Sequence, residues 1–338
     1  MRSNLSKMNR KRLFSLITGL FFIFACNISS NASSPTPGLF AARSATPPLS
    51  AEATTPVDVP TIPEREPIGQ IAFTCQIFKT QASNQICILN ADGTGFRRLT
   101  TDNTKQHYYP SVAPDGKSVV YAAFREPGFY EIYEVNLASG VITQLTDRIG
   151  NLNGPEISPD GVTIVFKLST ASANELWLMN RDGSSPRQIP NALGWDPTWL
   201  PDGNTILFAS DAEGAVQLFT IRTDGSELKR ISSLPAIRGR SDWSSDGKFI
   251  VTYSGEPWKR DIYSMNADGS DARMLSPTGG NSQGPSISPD GQWVAFTSYF
   301  DLYGEDNGCE IYIMRVDGSD VRRLTNNGYC DYQPRWGR

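Results

Sequence analysis

DIYSMNADGSDARMLS, residues 261–276, is one of six versions of a single sixteen-residue phrase. The others are QICILNADGTGFRRLT (85–100), EIYEVNLASGVITQLT (131–146), ELWLMNRDGSSPRQIP (175–190), QLFTIRTDGSELKRIS (217–232) and EIYIMRVDGSDVRRLT (310–325). Their starts lie 46, 44, 42, 44 and 49 residues apart. Each phrase holds an apolar run, a turn pair and a short second run. Asp-Gly is a hairpin signal: Asp bonds its own local backbone, and Gly accepts positive φ without a Cβ clash. Only LASG (137–140) lacks the Asp, and it keeps the Gly.

A second phrase alternates with the first: YPSVAPDG (109–116), GPEISPDG (154–161), DPTWLPDG (196–203), RSDWSSDG (240–247) and GPSISPDG (284–291). Each leads into a β-rich run such as TIVFKLS or WVAFTS. One unit therefore reads as four strands with two Asp-Gly turns, the size of a propeller blade. The middle runs are apolar on both faces, as expected of sheets sandwiched between neighbours. The first unit, from Gln70, has no preceding Pro-x-Trp strand, and the chain finishes with that strand, QPRWGR (333–338). The expectation is an all-β, six-bladed propeller over 70–338, closed by the C-terminal strand joining the N-terminal blade, with no open edge.

These repeats resemble the WD40-like, PD40-type repeats of the TolB propeller family, over about residues 70–338. The likeness rests on the recurring SPDG and IYxMNxDGS-xxRxLT phrases. Two features depart from relatives. TolB proteins carry a folded domain before the propeller, where this chain has a Pro-rich segment. The Gly-His and Trp-Asp marks of WD40 blades are also missing. The resemblance implies a periplasmic, envelope-associated binding role.

The N-terminus reads as an export signal over 1–25. MRSNLSKMNRKR precedes a thirteen-residue apolar run ending at Ala25, too short for a comfortable bilayer span. Ile23-Phe24-Ala25-Cys26 resembles a lipoprotein box, with Phe24 departing from the usual small residue, and makes Cys26 the candidate lipidation site. The alternative is ordinary cleavage after Ser30-Asn31-Ala32. Residues 26–69 hold eight prolines amid Ser, Thr and Ala and read as an extended tether. The whole chain carries a formal charge of −4, and without residues 1–25 it has 26 basic against 35 acidic residues. That balance argues against nucleic-acid binding.

Export permits disulfides. Cys75, Cys87, Cys309 and Cys330 allow three pairings. Cys75 and Cys87 face each other across the first hairpin. Cys309 and Cys330 fall on the same face near the closing strand. The favoured pairs are therefore Cys75–Cys87 and Cys309–Cys330.

In a propeller both Asp-Gly turns of a blade fall on one face, and the irregular loops fall on the other. Irregular loops on a rigid ring are where binding groups are displayed. Residues just before each innermost strand should ring the channel mouth: His107, Tyr108, Tyr109, Asn153, Trp195, Asp196, Arg238, Arg240, Gln283, Asp331, Tyr332 and Gln333. Aromatics with Arg and a few carboxylates suit a peptide or a flat polar ligand. Trp258 with Lys259-Arg260, and the stretch Tyr299 to Tyr303, extend that surface.

His107 is the one histidine, which removes multi-histidine metal sites, and no G-x-S-x-G occurs. No cofactor or metal is expected, and the Asp-Gly acids read as turn residues. The expected function is non-catalytic: a monomeric module that binds an envelope protein or peptide and touches the membrane only through its anchor. The alternative is a glycan-binding or glycan-cleaving propeller, in which Asp196, Asp331, Glu305 and Asp306 would converge.

Overall fold

The computed structural model describes residues 65–77, 83–126, 129–276, 280–299 and 308–337. The export segment, Cys26, the tether up to residue 64, the stretch from residue 300 to Tyr303, and Glu305 and Asp306 lie outside the described residues. Six four-stranded antiparallel sheets make the ring. Blade 1 joins Gln70–Gln76, Asn84–Asn90 and Arg97–Arg98 to Asp331–Gly337 from the far end of the chain. Blade 2 runs through His107–Val112, Ser118–Glu126, Phe129–Asn136 and Ile142–Gln144. Blade 3 holds Asn151–Ile157, Thr163–Ser169, Asn174–Asn180 and Arg187–Leu193. Blade 4 is Trp195–Trp199, Thr205–Ser210, Gln217–Arg222 and Lys229–Arg230. Blade 5 is Asp242–Trp243, Phe249–Ser254, Asp261–Asn266 and Arg273–Met274. Blade 6 is Gln283–Ile287, Trp293–Ser298, Glu310–Arg315 and Arg322–Arg323.

The two-sided apolar pattern of the middle strands has a direct consequence. Successive side chains point to opposite faces, so each sheet serves two cores. Phe73, Cys87 and Leu89 of blade 1 pack with Trp293 and Ile311 of blade 6. Ala72, Ile86 and Ile88 of the same blade pack with Val119 and Tyr121 of blade 2. Four further clusters fill the remaining gaps, one between each pair of neighbouring blades.

The repeated phrase also explains its own ends. Its last residue, Ser or Thr, caps the third strand and bonds the first residue of the phrase, fifteen positions earlier. Ile132 N–H donates to Thr146 Oγ1 (2.9 Å), which donates to Glu131 (2.5 Å). The same arrangement joins Thr100 to Gln85, Ser232 to Gln217, Ser276 to Asp261 and Thr325 to Glu310. The phrase of blade 3 ends in Pro190, which has no hydroxyl to offer.

The Asp-Gly acids are turn residues. Asp92, Asp182, Asp224 and Asp317 each accept the backbone N–H two residues ahead, at 2.9 Å. In the turn without Asp, Asn136 Oδ1 takes the N–H groups of Ala138 and Ser139 instead (3.1 and 2.9 Å).

At the seam, Gln70–Gln76 pairs antiparallel with Asp331–Gly337, so the C-terminal strand completes blade 1. Cys75 and Cys87 are disulfide-bonded, with Cα atoms 5.8 Å apart. Cys309 and Cys330 are also bonded, Cα atoms 4.5 Å apart, joining blade 6 to the closing strand. Residues 65–69, read from composition as the end of the tether, are held here too. Trp293 Nε1 donates to Arg65 O (3.2 Å) and Trp336 Nε1 to Ile68 O (2.7 Å).

Candidate functional site at the channel mouth

The site is set by a backbone irregularity repeated around the ring. In five innermost strands the residue before Pro is left-handed: Tyr109 (φ 56°), Gly154 (59°), Asp196 (52°), Gly284 (59°) and Gln333 (58°). A register shift accompanies each. Such a conformation disfavours any residue with a Cβ. Here it turns the side chains of Tyr109, Asp196 and Gln333 into the channel. Blade 5 differs, because Arg240 precedes Ser241. There Gly239 (φ 132°) takes the unusual backbone, and a Cβ on it would sit 2.4 Å from Asp196 Oδ2. That close approach lets Arg240 N–H donate to Asp196 Oδ2 (2.9 Å).

The result is a cavity of about 320 Å³ at the loop end of the channel. Tyr109, Asp196, Arg240, Gln283, Tyr332 and Gln333 line it from the innermost strands or just before them, with Gln76, Tyr253, Thr297 and Tyr299 from elements further out. A second hollow of about 580 Å³ adjoins it, sharing Tyr109, Asp196 and Tyr253 and adding Asn153, Trp195 and Arg238. Burial, reinforced by the Asp196 charge, pushes the Tyr109 phenol up to about 12. Tyr253 and Tyr332 are raised as well, chiefly by burial. These rings present neutral hydroxyls at any physiological pH.

Not every expected mouth residue reaches the cavity. His107 is buried in the wall, where its Nδ1 lies 3.0 Å from the Asn84 carbonyl oxygen and its ring packs 5.7 Å from Tyr121. Burial lowers its pKa. Asp331 is buried at the seam, where it accepts from Asn327 Nδ2 (2.8 Å). Both stand two residues before the left-handed position, and the bulge separates them from the side chains it turns inward. Tyr108 is half-buried and is tied to Tyr332 through Asn84, whose amide donates to Tyr108 Oη (2.8 Å) and accepts from Tyr332 Oη (2.9 Å). Arg238 pairs with exposed Glu256 at the rim (3.3 Å). Trp258 meets Tyr299 edge-on at 5.5 Å and is 45% exposed.

Sequence reasoning missed a polar layer deeper in the channel. Two residues beyond each mouth position stand Ser111, Glu156, Thr198, Asp242, Ser286 and Arg335. Arg335, 7% exposed, is ion-paired with Glu156 and with Asp242 (3.3 Å). Burial works against this cation, but the two carboxylates outweigh it and raise its pKa. Glu156 also accepts from Thr198 Oγ1 (2.8 Å) of blade 4, and Asp242 from Ser286 Oγ (2.7 Å) of blade 6. This polar layer borders a hollow of about 370 Å³ at the opposite end, walled by Trp199, Trp243 and Trp336. A narrow crevice shares Tyr109, Asp196 and Arg240 with the mouth cavity and Glu156 and Arg335 with that hollow. Charged residues inside otherwise buried strands were the signal that could have revealed this layer. Among the described residues, no group of three His, Cys, Asp or Glu is placed to hold a metal.

Comparison with known proteins places this geometry in a family. Residues 68–305 match the TolB beta propeller domain, PD40. The chain is 39% identical over 98 residues to an uncharacterized protein of Agrobacterium fabrum, covering 29% of this chain and 33% of that one. It is 32% identical over 92 residues to the Tol-Pal system protein TolB of Anaeromyxobacter dehalogenans, covering 27% and 21%. The chain thus matches a third or less of the length of these curated relatives. The crystal structure of TolB from Acinetobacter baumannii superposes with a TM-score of 0.70 at 25% identity, covering 80% of this chain and 66% of that one. The chain belongs to the TolB β-propeller domain family.

Proposed function

We propose that the protein is a non-catalytic, exported, envelope-associated module that engages a protein or peptide partner through the channel-mouth cavity. One observation carries this reading. The cavity is walled by four tyrosines, Tyr109, Tyr253, Tyr299 and Tyr332, beside the buried Arg240. Tyrosines give large contact area at low entropic cost, together with a hydrogen-bonding tip. An aromatic pit on a rigid ring suits a short protruding segment. Family membership supports the same reading, since curated relatives are named as Tol-Pal system proteins.

In this reading residues 1–25 direct export, Cys26 carries the lipid anchor, and 26–64 span the distance to the propeller. Mass spectrometry of the mature N-terminus tests that part, as does release of the Cys26→Ala variant from membranes.

The binding role is tested in the cell with a photocrosslinking residue in place of Trp258 at the rim. Capture of a discrete partner is expected. It should be lost when Tyr109→Gly and Trp195→Ala are combined, because Gly fits the left-handed backbone and removes the ring without strain. Undiminished capture by a folded double variant overturns the reading.

A further inference from the structure

Two arginines are buried in the channel, and the protein treats them differently. Arg335 is 7% exposed and has two carboxylate partners. Arg240 is 8% exposed and has none within 4.0 Å among the described residues. The nearby carboxylate of Asp196 is taken by the Arg240 backbone N–H, at 2.9 Å, and not by its guanidinium. Among the described residues the guanidinium makes one hydrogen bond, from Nη2 to the Pro110 carbonyl oxygen (3.0 Å), and its buried Nε has no acceptor.

A buried cation without a counter-ion is unfavourable. Most buried groups in this position neutralise, but a guanidinium keeps its proton at physiological pH. Burial first, and the like charge of Arg335 next, depress the Arg240 pKa to about 10, against the opposing pull of the Asp196 and Glu156 charges, and that is still far above neutrality. The cation therefore persists, with a fork of donors only partly engaged. It lines the open mouth cavity of about 320 Å³, where Tyr109 lies 5.8 Å from its Cζ.

We infer that the mouth cavity is a receptor for a single ligand carboxylate, which docks on the guanidinium of Arg240. This inference rests on the mouth being the binding surface and names the group it recognises. The charge count favours a carboxylate over a phosphate. The cavity presents one cation beside one acid, Asp196, and its other polar lining is neutral Gln, Thr and Tyr. Asp196 already counts against that cation, so each further negative charge on a ligand adds repulsion, and a monoanion meets less of it than a dianion. A planar carboxylate also matches the two-pronged guanidinium geometry. The same chemistry is offered by an Asp or Glu side chain and by a chain terminus.

Three capped dipeptide probes separate these sources: N-acetyl-Trp-Glu-amide, N-acetyl-Trp-Gly with a free carboxyl, and neutral N-acetyl-Trp-Gln-amide. Their binding is followed through the Arg240 Nε–H resonance, assigned with Arg240→Lys, and through peptide-detected NMR. At least one carboxylate probe should shift that resonance and bind about tenfold or more tightly than the Gln probe. Arg240→Met should erase the preference. Equal binding of all three probes, or a preference that survives Arg240→Met, overturns the inference. Should Arg240→Met not fold, the wild-type resonance decides: no movement with either carboxylate probe at millimolar concentration also overturns it. Partner capture at residue 258 without a carboxylate preference refutes this inference alone. Carboxylate docking without any captured partner refutes the binding role alone.

Discussion

The backbone N–H of Tyr109 donates to Oε1 of Gln333, 3.0 Å away and 224 residues further along the chain. Thr74 Oγ1 donates to the same oxygen at 3.0 Å. Tyr109 and Gln333 hold the same place in neighbouring innermost strands, and both are left-handed. The bulge that turns Gln333 into the channel therefore also lets it clasp blade 2. Ring closure and mouth construction share one set of backbone conformations.

Removal of residues 331–338 should abolish independent folding. The deletion exposes one edge of Gln70–Gln76 and uncovers the cluster of Ile71, Phe73 and Trp293, which Trp336 helps to fill. Open edges and exposed apolar surface favour association. Size-exclusion chromatography and urea unfolding should show aggregates and no single cooperative transition. A monomer with a wild-type transition would contradict the role of the seam.

Thr146→Val should destabilise by about 1–3 kcal/mol, because it leaves a buried acceptor with one donor fewer. Glu131 is fully buried and, besides Thr146, accepts the backbone N–H of Arg148 (2.5 Å). The equivalent end of the blade 3 phrase is already Pro190, so Pro190→Ala should change stability far less. Urea midpoints of the two variants give the comparison.

The architecture was readable because it is repetitive. Ten Asp-Gly turns and six copies of one phrase left little freedom in strand order, and the unmatched Pro-x-Trp at the end identified the closing strand. The mouth was only half readable. Alignment found the loops that reach it, but a left-handed residue before Pro reverses which neighbours face inward, so Tyr109 and Gln333 line the cavity while His107 and Asp331 do not. Tyr253 comes from a second strand, where the repeat pattern marks only core positions. The Glu156–Arg335–Asp242 layer draws its members from three blades far apart in sequence, and pairing across the channel leaves no local spacing to detect.

Arg335→Met should cost about 3–5 kcal/mol near neutral pH, since Glu156 and Asp242 would then be buried without their cation. The loss should be smaller at about pH 5 than near neutrality, since burial pushes the Glu156 pKa up and favours its protonated form. Adding Glu156→Gln and Asp242→Asn should recover much of the stability. Equal destabilisation at both pH values would show that the charges do not matter.

Reduction should weaken the seam. The two disulfides close loops of 12 and 21 residues, each worth about 3 kcal/mol through restriction of the unfolded chain. The oxidised protein should titrate no thiol among Cys75, Cys87, Cys309 and Cys330, and the thermal midpoint should fall on adding a reductant. Four accessible thiols in the untreated protein would remove both bridges from the account.

Asp331 should make the protein less stable as the pH rises towards neutrality. Its carboxyl is 1% exposed, and burial, followed by the charge of Glu310, pushes its pKa from an ordinary 3.8 up to about 7. Asn327 Nδ2 opposes the shift by donating to it (2.8 Å), and Glu310 itself is drawn towards Arg323 (3.1 Å). Between the two pKa values the folded chain holds a proton that the unfolded chain has released. Unfolding free energy therefore falls with rising pH across that window, by roughly 2–4 kcal/mol in all, and levels off above it. Asp331→Asn keeps an acceptor for Asn327 and removes the titration. Its stability relative to wild type should be lowest near pH 4 and rise by the same amount by about pH 8. Taking the difference cancels His107, whose depressed pKa acts in the opposite sense: its contribution is present above the unfolded value and is lost as pH falls through the folded one. Urea midpoints measured across this range give the result directly, and parallel curves for the two proteins would mean that Asp331 ionises in the fold as it does in water.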